Sequence, residues 1–383
     1  SIGGGPPADV RNGTDHGIVA EVQRAASGAG RTGAPAAITR DGKVFLYYAN
    51  GGGNIGVAVA DKPTGPSRDP LGKAIVSGET PGVLPAEGIW IFDPMVFIDD
   101  DGQAYMYFGG NGDDNIRVVK LKRDMITVDG SAMKMSAPNF FEAAWMHKRN
   151  GIYYFSYSTT PKADMRIDYM TSKSPTSGFK YAGIVAQPPP ENYNNNHHSI
   201  LKFKDKWYHV YHNRSRAMKN GHPMPFKRNL AVEVLSYEKD GRIKTIEYTK
   251  DGVPQIQAFN PYVQTPAATM SAQEGISVRG DDLAVMGGKD GAWFKISGVD
   301  FGAAGAKKLR VRAESPNGPS TLEVRLNEPN GPTVAKIPVG RKNETFTVPV
   351  SIAKGEHDLF FVMPDCESKG GSSLAINAWQ FVK

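Results

Sequence analysis

The chain predicts an all-β protein in which a β-propeller is followed by a β-sandwich. Three observations carry this. First, a turn followed by a strand of alternating aromatics is written four times, beginning at Asp41-Gly42, Asp101-Gly102, Asn150-Gly151 and Lys204-Asp205 and recurring every 49 to 60 residues. Asp-Gly and Asn-Gly supply the positive φ angles of tight hairpins, aromatic runs suit pleated strands, and this period is that of propeller blades. Second, helix-period segments are almost absent. Third, beyond residue 270 short alternating strands follow one another at close spacing, the pattern of a sandwich.

At 383 residues, two domains are expected. With 40% hydrophobic and 22% charged residues the composition is that of an ordinary globular protein, and 43 Gly with 27 Pro fit many turns. No run of 18 apolar residues exists, so no membrane partner is expected. One cysteine, Cys366, excludes an internal disulfide framework and a cysteine metal site. The net charge of +6 is scattered, without Lys/Arg runs interleaved with stacking aromatics, so nucleic acid is not an expected partner either.

In chain order, residues 1–34 are Gly/Ala/Pro-rich and carry no strand pattern. Blade-like segments follow at about 35–63, 90–126, 138–185 and 195–250, and the propeller domain is assigned to 1–255. The stretch from Gln255 to Thr269, with Pro261 and Pro266, reads as a linker. The sandwich, 270–383, contains strands around 293–296, 308–313, 322–326, 345–348 and 357–362. Gly51-Gly52-Gly53 precedes strand residues, not a helix, so it is a turn and not a phosphate cradle. Asp99-Asp100-Asp101-Gly102 lacks the later ligands of a calcium loop and is read as a hairpin turn.

Two carboxylates stand at blade entrances. Asp93 lies in Trp90-Ile91-Phe92-Asp93-Pro94, where Pro94 biases it towards extended geometry. Glu142 is the single charge in Phe140-Phe141-Glu142-Ala143-Ala144-Trp145, where burial should raise its pKa as a general acid requires. The alternatives are a strand-edge acceptor for Asp93 and a salt-bridged core residue for Glu142.

These runs, with Asn196-His197-His198-Ser199-Ile200 and Lys206-Trp207-Tyr208, resemble glycoside hydrolase family 43 over residues 13–250. The resemblance implies a five-bladed propeller that removes xylose or arabinofuranose from xylan-derived chains with inversion. It makes Glu142 the general acid and Asp93 the aspartate that tunes and orients it. His197 matches a channel histidine that supports a calcium ion through water, Arg228 an arginine near the base, and Trp90 is expected beside the sugar. No organic cofactor is expected. Only 13 residues precede Thr14-Asp15-His16-Gly17, which looks like the segment after the family's first blade. The first blade is therefore expected to be missing from this sequence, and Asp9 is a poor match for the general base.

Residues 270–383 resemble carbohydrate-binding module family 6, a β-sandwich that grips sugars between aromatics and an asparagine, here Asn377. Trp293 and Trp379 sit in strand patterns and read as core. The expectation is a secreted or periplasmic monomer acting on xylo-oligosaccharide or arabinoxylan. Its rival is a non-catalytic carbohydrate-binding propeller.

Overall fold

The computed structural model describes residues 11–16, 32–189, 196–215, 218, 228–250, 252–366 and 374–383. The fold is all-β. It divides into two compact units: 20–253, and 254–383 together with the described residues up to 16, among them strand β1 (Gly13–Thr14).

The first unit holds four antiparallel sheets in which strands neighbour one another in chain order. They are β2 (Thr32–Arg40), β3 (Lys43–Asn50), β4 (Asn54–Ala60) and β5 (Val76–Ser77); β6 (Met95–Ile98), β7 (Ala104–Gly109), β8 (Ile116–Leu121) and β9 (Val128–Met135); β10 (Phe140–Arg149), β11 (Ile152–Thr159), β12 (Ile167–Ser172) and β13 (Lys180–Ala186); and β14 (His198–Phe203), β15 (Lys206–Asn213) and β16 (Asn229–Leu235). Each of the four aromatic repeats is the turn and the strand β3, β7, β11 or β15. At Asp41-Gly42 and Asn150-Gly151 both turn residues have positive φ, as a two-residue hairpin demands. The second repeat differs: Gly102 alone is left-handed, in a longer loop closed by Asp99 N donating to Gln103 O.

The alternation in these strands has a direct packing reason. In β7, Met106 and Phe108 join Tyr47 and Val57 of the first sheet, whereas Tyr105 and Tyr107 join Phe140 and Phe155 of the third. In β11, Phe155 and Tyr157 face the second sheet and Tyr154 faces Ile200 and Leu235 of the fourth. Successive strand residues point to opposite faces, so a strand buried on both must be apolar throughout. Each such ring contributes about 1.5–3 kcal/mol by leaving water.

The second unit contains β17 (Thr265–Pro266), β18 (Thr269–Met270), β19 (Ala272–Glu274), β20 (Ile276–Val278), β21 (Val285–Gly287), β22 (Ala292–Asp300), β23 (Ala306–Glu314), β24 (Ser320–Leu326), β25 (Thr333–Val339), β26 (Glu344–Ala353), β27 (Glu356–Met363) and β28 (Ala375–Val382). One sheet runs β19-β22-β27-β24-β25. The other runs β20-β21-β28-β23-β26, with β17 also paired to β28. Both feed one core, in which Phe361 of the first meets Trp379 of the second at 5.2 Å between ring centroids. Trp379 is core as expected, but Trp293 is only partly buried, edge-on to Phe360. The stretch read as a linker does not run free. Phe259 bridges Val299, Tyr262 Oη donates to Phe301 O at 2.7 Å, and β17 extends a sheet. Pro261 does mark a turn, but Pro266 lies in β17, and Phe259 and Tyr262 pack against the second core.

Candidate active site

Asp93 occupies the turn into β6, between half-buried Phe92 and buried Pro94, and is itself only 4% exposed. Its φ is +50°, so the extended geometry expected from Pro94 is not what the fold adopts. The reason is tertiary. Trp90 N donates to Gly110 O and Gly109 N to Phe92 O, fixing the chain just before it, while Ala143 N donates to Asp93 Oδ2 at 2.9 Å. Aspartate tolerates the left-handed region better than most residues, and these contacts outweigh a local bias.

Glu142 stands where β10 loses its regular pairing with β11. Register shifts flank it on both sides, between Phe140 and Glu142 and between Glu142 and Trp145. Such bulges re-aim side chains. Ala143, immediately after, is also left-handed at φ +62°. Its amide is the one bonded to Asp93, which brings the two sequence-predicted carboxylates together across neighbouring sheets.

The charges around the pair are unequal. Burial pushes the Glu142 carboxyl up to about 8, and the negative charge of Asp93 pushes the same way, against a weaker pull from Arg228. Burial also raises Asp93, but His197, the Ala143 amide and Arg228 all favour its ionised form. The Ala143 hydrogen bond belongs to Asp93, and His197 lies 3.6 Å from it. Near neutrality, then, Asp93 is the one to ionise and the proton stays on Glu142.

Three aromatic rings that flank the two carboxylates in the chain meet one another. Trp90 meets Phe92 edge-on at 5.2 Å and Phe141 at 5.4 Å, and all three are partly exposed. Gly110 permits this wall, because a Cβ there would lie 2.3 Å from the Phe92 ring and 2.9 Å from Phe141 O. The next residue, Asn111, donates its amide to Phe141 O at 2.9 Å. His197 Nδ1 lies 3.6 Å from Asp93 Oδ2, and Arg228 is exposed immediately before β16. Trp145 instead bridges the third and fourth sheets, with Nε1 donating to Ile200 O.

Behind this group lie polar residues the sequence reading did not single out. His198 Nε2 is 2.7 Å from Ser156 Oγ, and the His198, His209 and Tyr211 rings stack in series at 5.5 and 5.2 Å. Burial pushes His209 down to about 3 and His198 well below its ordinary value. Glu233, also buried, accepts from Tyr211 Oη and from Thr249 N and Oγ1. The available signal was period-2 placement of His209 between Trp207 and Tyr211 on one face of β15. Calcium takes six to eight oxygen ligands. Among the described residues no three acidic, histidine or cysteine side chains converge, so these side chains alone do not form a calcium cage.

Asn377 belongs to the second unit, where its side chain donates to Asp282 Oδ2 and accepts from Asn343 Nδ2. Asp9 lies outside the described residues. Asp15 is exposed, with its amide bonded to Ala268 O.

The family model "Glycosyl hydrolases family 43" matches residues 8–254, and "Carbohydrate binding module (family 6)" matches 266–383. An arabinoxylan arabinofuranohydrolase of Paenibacillus polymyxa is 35% identical over 97% of this chain, which spans 65% of that protein's length. The crystal structure of a family 43 arabinoxylan arabinofuranohydrolase from Bacillus subtilis in complex with cellotetraose superposes with a TM-score of 0.88 at 34% identity, covering 98% of this chain and 86% of that one. An α-L-arabinofuranosidase from Clostridium thermocellum is 53% identical with a TM-score of 0.59, covering 64% and 82%.

Proposed function

The chain belongs to glycosyl hydrolases family 43, and from that membership we propose that it removes arabinofuranose or xylose units from xylan-derived chains. Arabinofuranose is favoured, because the relatives similar over nearly the whole chain are arabinoxylan arabinofuranohydrolases. One observation carries the mechanism: a Glu142 carboxyl raised to about 8 whose neighbour Asp93 holds the stabilising donors. Glu142 delivers its proton to the glycosidic oxygen as the bond to the sugar breaks, and the leaving alcohol departs neutral. Asp93 keeps that proton in place by its charge and by its grip on the Ala143 amide.

The bond-breaking direction we propose is inverting. Water attacks the anomeric carbon from the opposite face, activated by a carboxylate about 6.5–9.5 Å from Glu142. Trp90, Phe92 and Phe141 offer apolar ring surface to the sugar, and Arg228 adds a positive edge. The four sheets packed one against the next support a propeller of the five-bladed kind, and two sheets on one core support a β-sandwich. In that module Asn377 is the proposed sugar contact. A water-held calcium near His197 belongs to the same reading, as do a secreted or periplasmic location, where polymeric xylan is met, and a monomeric state.

Hydrolysis of nitrophenyl arabinofuranoside and xyloside tests the reading. Glu142→Ala is expected to lower kcat about 10²–10⁴-fold on substrates that need protonation. An unaltered rate in that variant refutes the acid role. Sugar binding without turnover by the unaltered chain would favour the non-catalytic alternative.

A further inference from the structure

We propose that Ala143 is a positioning residue, whose left-handed backbone and Asp93-bound amide together fix the direction of the Glu142 carboxyl. The inference rests on the reading of Glu142 as the acid. Both partners of the Ala143–Asp93 hydrogen bond have positive φ, +62° and +50°, and neither is glycine. An alanine in that region carries a steric penalty, so it persists only where surrounding contacts over-determine it. Here they do. The carbonyl before Glu142, that of Phe141, is held by Asn111 N, and the amide after it is held by Asp93. Both tethers come from the second sheet's side, whereas Glu142 belongs to the third. Ala143 is fully buried, so no larger side chain could be added there without displacement.

The consequence is chemical. In a regular strand Glu142 would continue the alternation that sends Phe140 into the core on one face of β10. The two register shifts and the left-handed residue break that alternation and leave its carboxyl in the field of Asp93. Asp93 therefore has two separable functions, a charge and a hydrogen-bond acceptor. Only the charge is implied by a general acid with a tuning partner.

Two pairs of variants separate them, each followed by the kcat and KM pH profiles and by carbon-13 NMR titration of labelled glutamate carboxyls. Ala143→Gly, which favours positive φ, is expected to keep kcat within about threefold and leave the titration near 8 unchanged. Ala143→Val, which disfavours it, is expected to lower kcat about 100-fold with KM little changed, and to move the Glu142 titration down towards ordinary carboxylate values. Should the Ala143→Val substitution prevent folding, the Asp93 pair decides. Asp93→Asn retains an oxygen for the Ala143 amide while Asp93→Ala does not, and the former is expected to keep about tenfold more kcat. A folded Ala143→Val with unchanged kcat and unchanged Glu142 titration overturns the proposal, and so do equal rates in the two Asp93 variants. If instead Glu142→Ala turns over substrate normally while Ala143→Val still shifts the carboxyl titration, the acid assignment fails and the positioning role stands.

Discussion

Two glutamates sit on strands of the two units, and the molecule treats them oppositely. Glu323 in β24 is 6% exposed, accepts from Arg325 Nε at 2.9 Å and from Lys336 Nζ at 2.8 Å, and its carboxyl is held below the ordinary range, chiefly by Lys336. Glu142 in β10 is half-buried, the amide of the next residue, Ala143, is tied to an acid, and its carboxyl is pushed up to about 8. Burial acts in the same direction on both. Donors reverse it at Glu323, and at Glu142 the available donors are spent on Asp93. At Glu323 neighbouring cations outweigh burial, whereas at Glu142 burial and the charge of Asp93 prevail.

The largest expected effect breaks the comparison at its chemical end. Glu142→Gln has no proton to give and should lower kcat about 10²–10⁴-fold. The same variant should be more stable than the unaltered protein above pH 8. A raised folded-state pKa means that the native carboxyl retains its proton between 4.5 and about 8, and stability falls across that window as pH rises, by about 1.4 kcal/mol per unit. Urea unfolding of the two proteins at pH 5 and pH 9 measures the difference, which should be absent at the lower pH.

The next effect extends the comparison to bases. His147 and His209 are buried and held down to about 3, the first beside Arg149, so the folded state keeps them neutral. The unfolded chain takes up protons below its ordinary histidine pKa of 6.5, and stability should decline from there towards pH 3 at about 1.4 kcal/mol per unit for each. Acid titration of the urea midpoint reads this slope, and His209→Gln should flatten it. Smaller again is Asp93→Asn. Removing that charge lowers the Glu142 pKa, so the alkaline limb of the kcat profile should move below about 8.

Glu323→Gln should cost about 1–2 kcal/mol, less than the loss of a fully buried pair because the Lys336 side chain is 66% exposed. The penalty should vanish as pH falls below the ordinary carboxylate range, opposite in sign to Glu142→Gln. Smallest is Asn377→Ala, whose partly exposed bonds to Asp282 and Asn343 should change stability by no more than about 0.5 kcal/mol. Retardation on an arabinoxylan affinity gel then reports its contact with sugar separately from folding.

The strands were legible in the sequence because their determinants are local: period-2 alternation and turn residues such as Asn150-Gly151 act within a few positions. The raised carboxyl of Glu142 was legible for a related reason, as that of a lone charge in an apolar run. The backbone at Asp93 was not. Pro94 pointed to extended geometry, and only bonds from Gly109, Gly110 and Ala143, residues far along the chain, hold it left-handed. The docking of Phe259 and Tyr262 was hidden likewise, since prolines signal where a chain turns and not what it lies on. His209 escaped because a histidine within an aromatic strand reads as an edge residue until its neighbours on both faces are known.

The two-faced burial of β7 sets terms for how such a protein can diverge. Every residue from Ala104 to Gly109 is enclosed, odd positions against one neighbour and even positions against the other. A one-residue insertion there would exchange both sets at once and damage three sheets together. Heritable variation is thereby channelled to the segments joining strands, such as Phe92-Asp93 and Gly110-Asn111, which also carry the proposed chemistry. A lineage built this way can change its diet while its skeleton stays still.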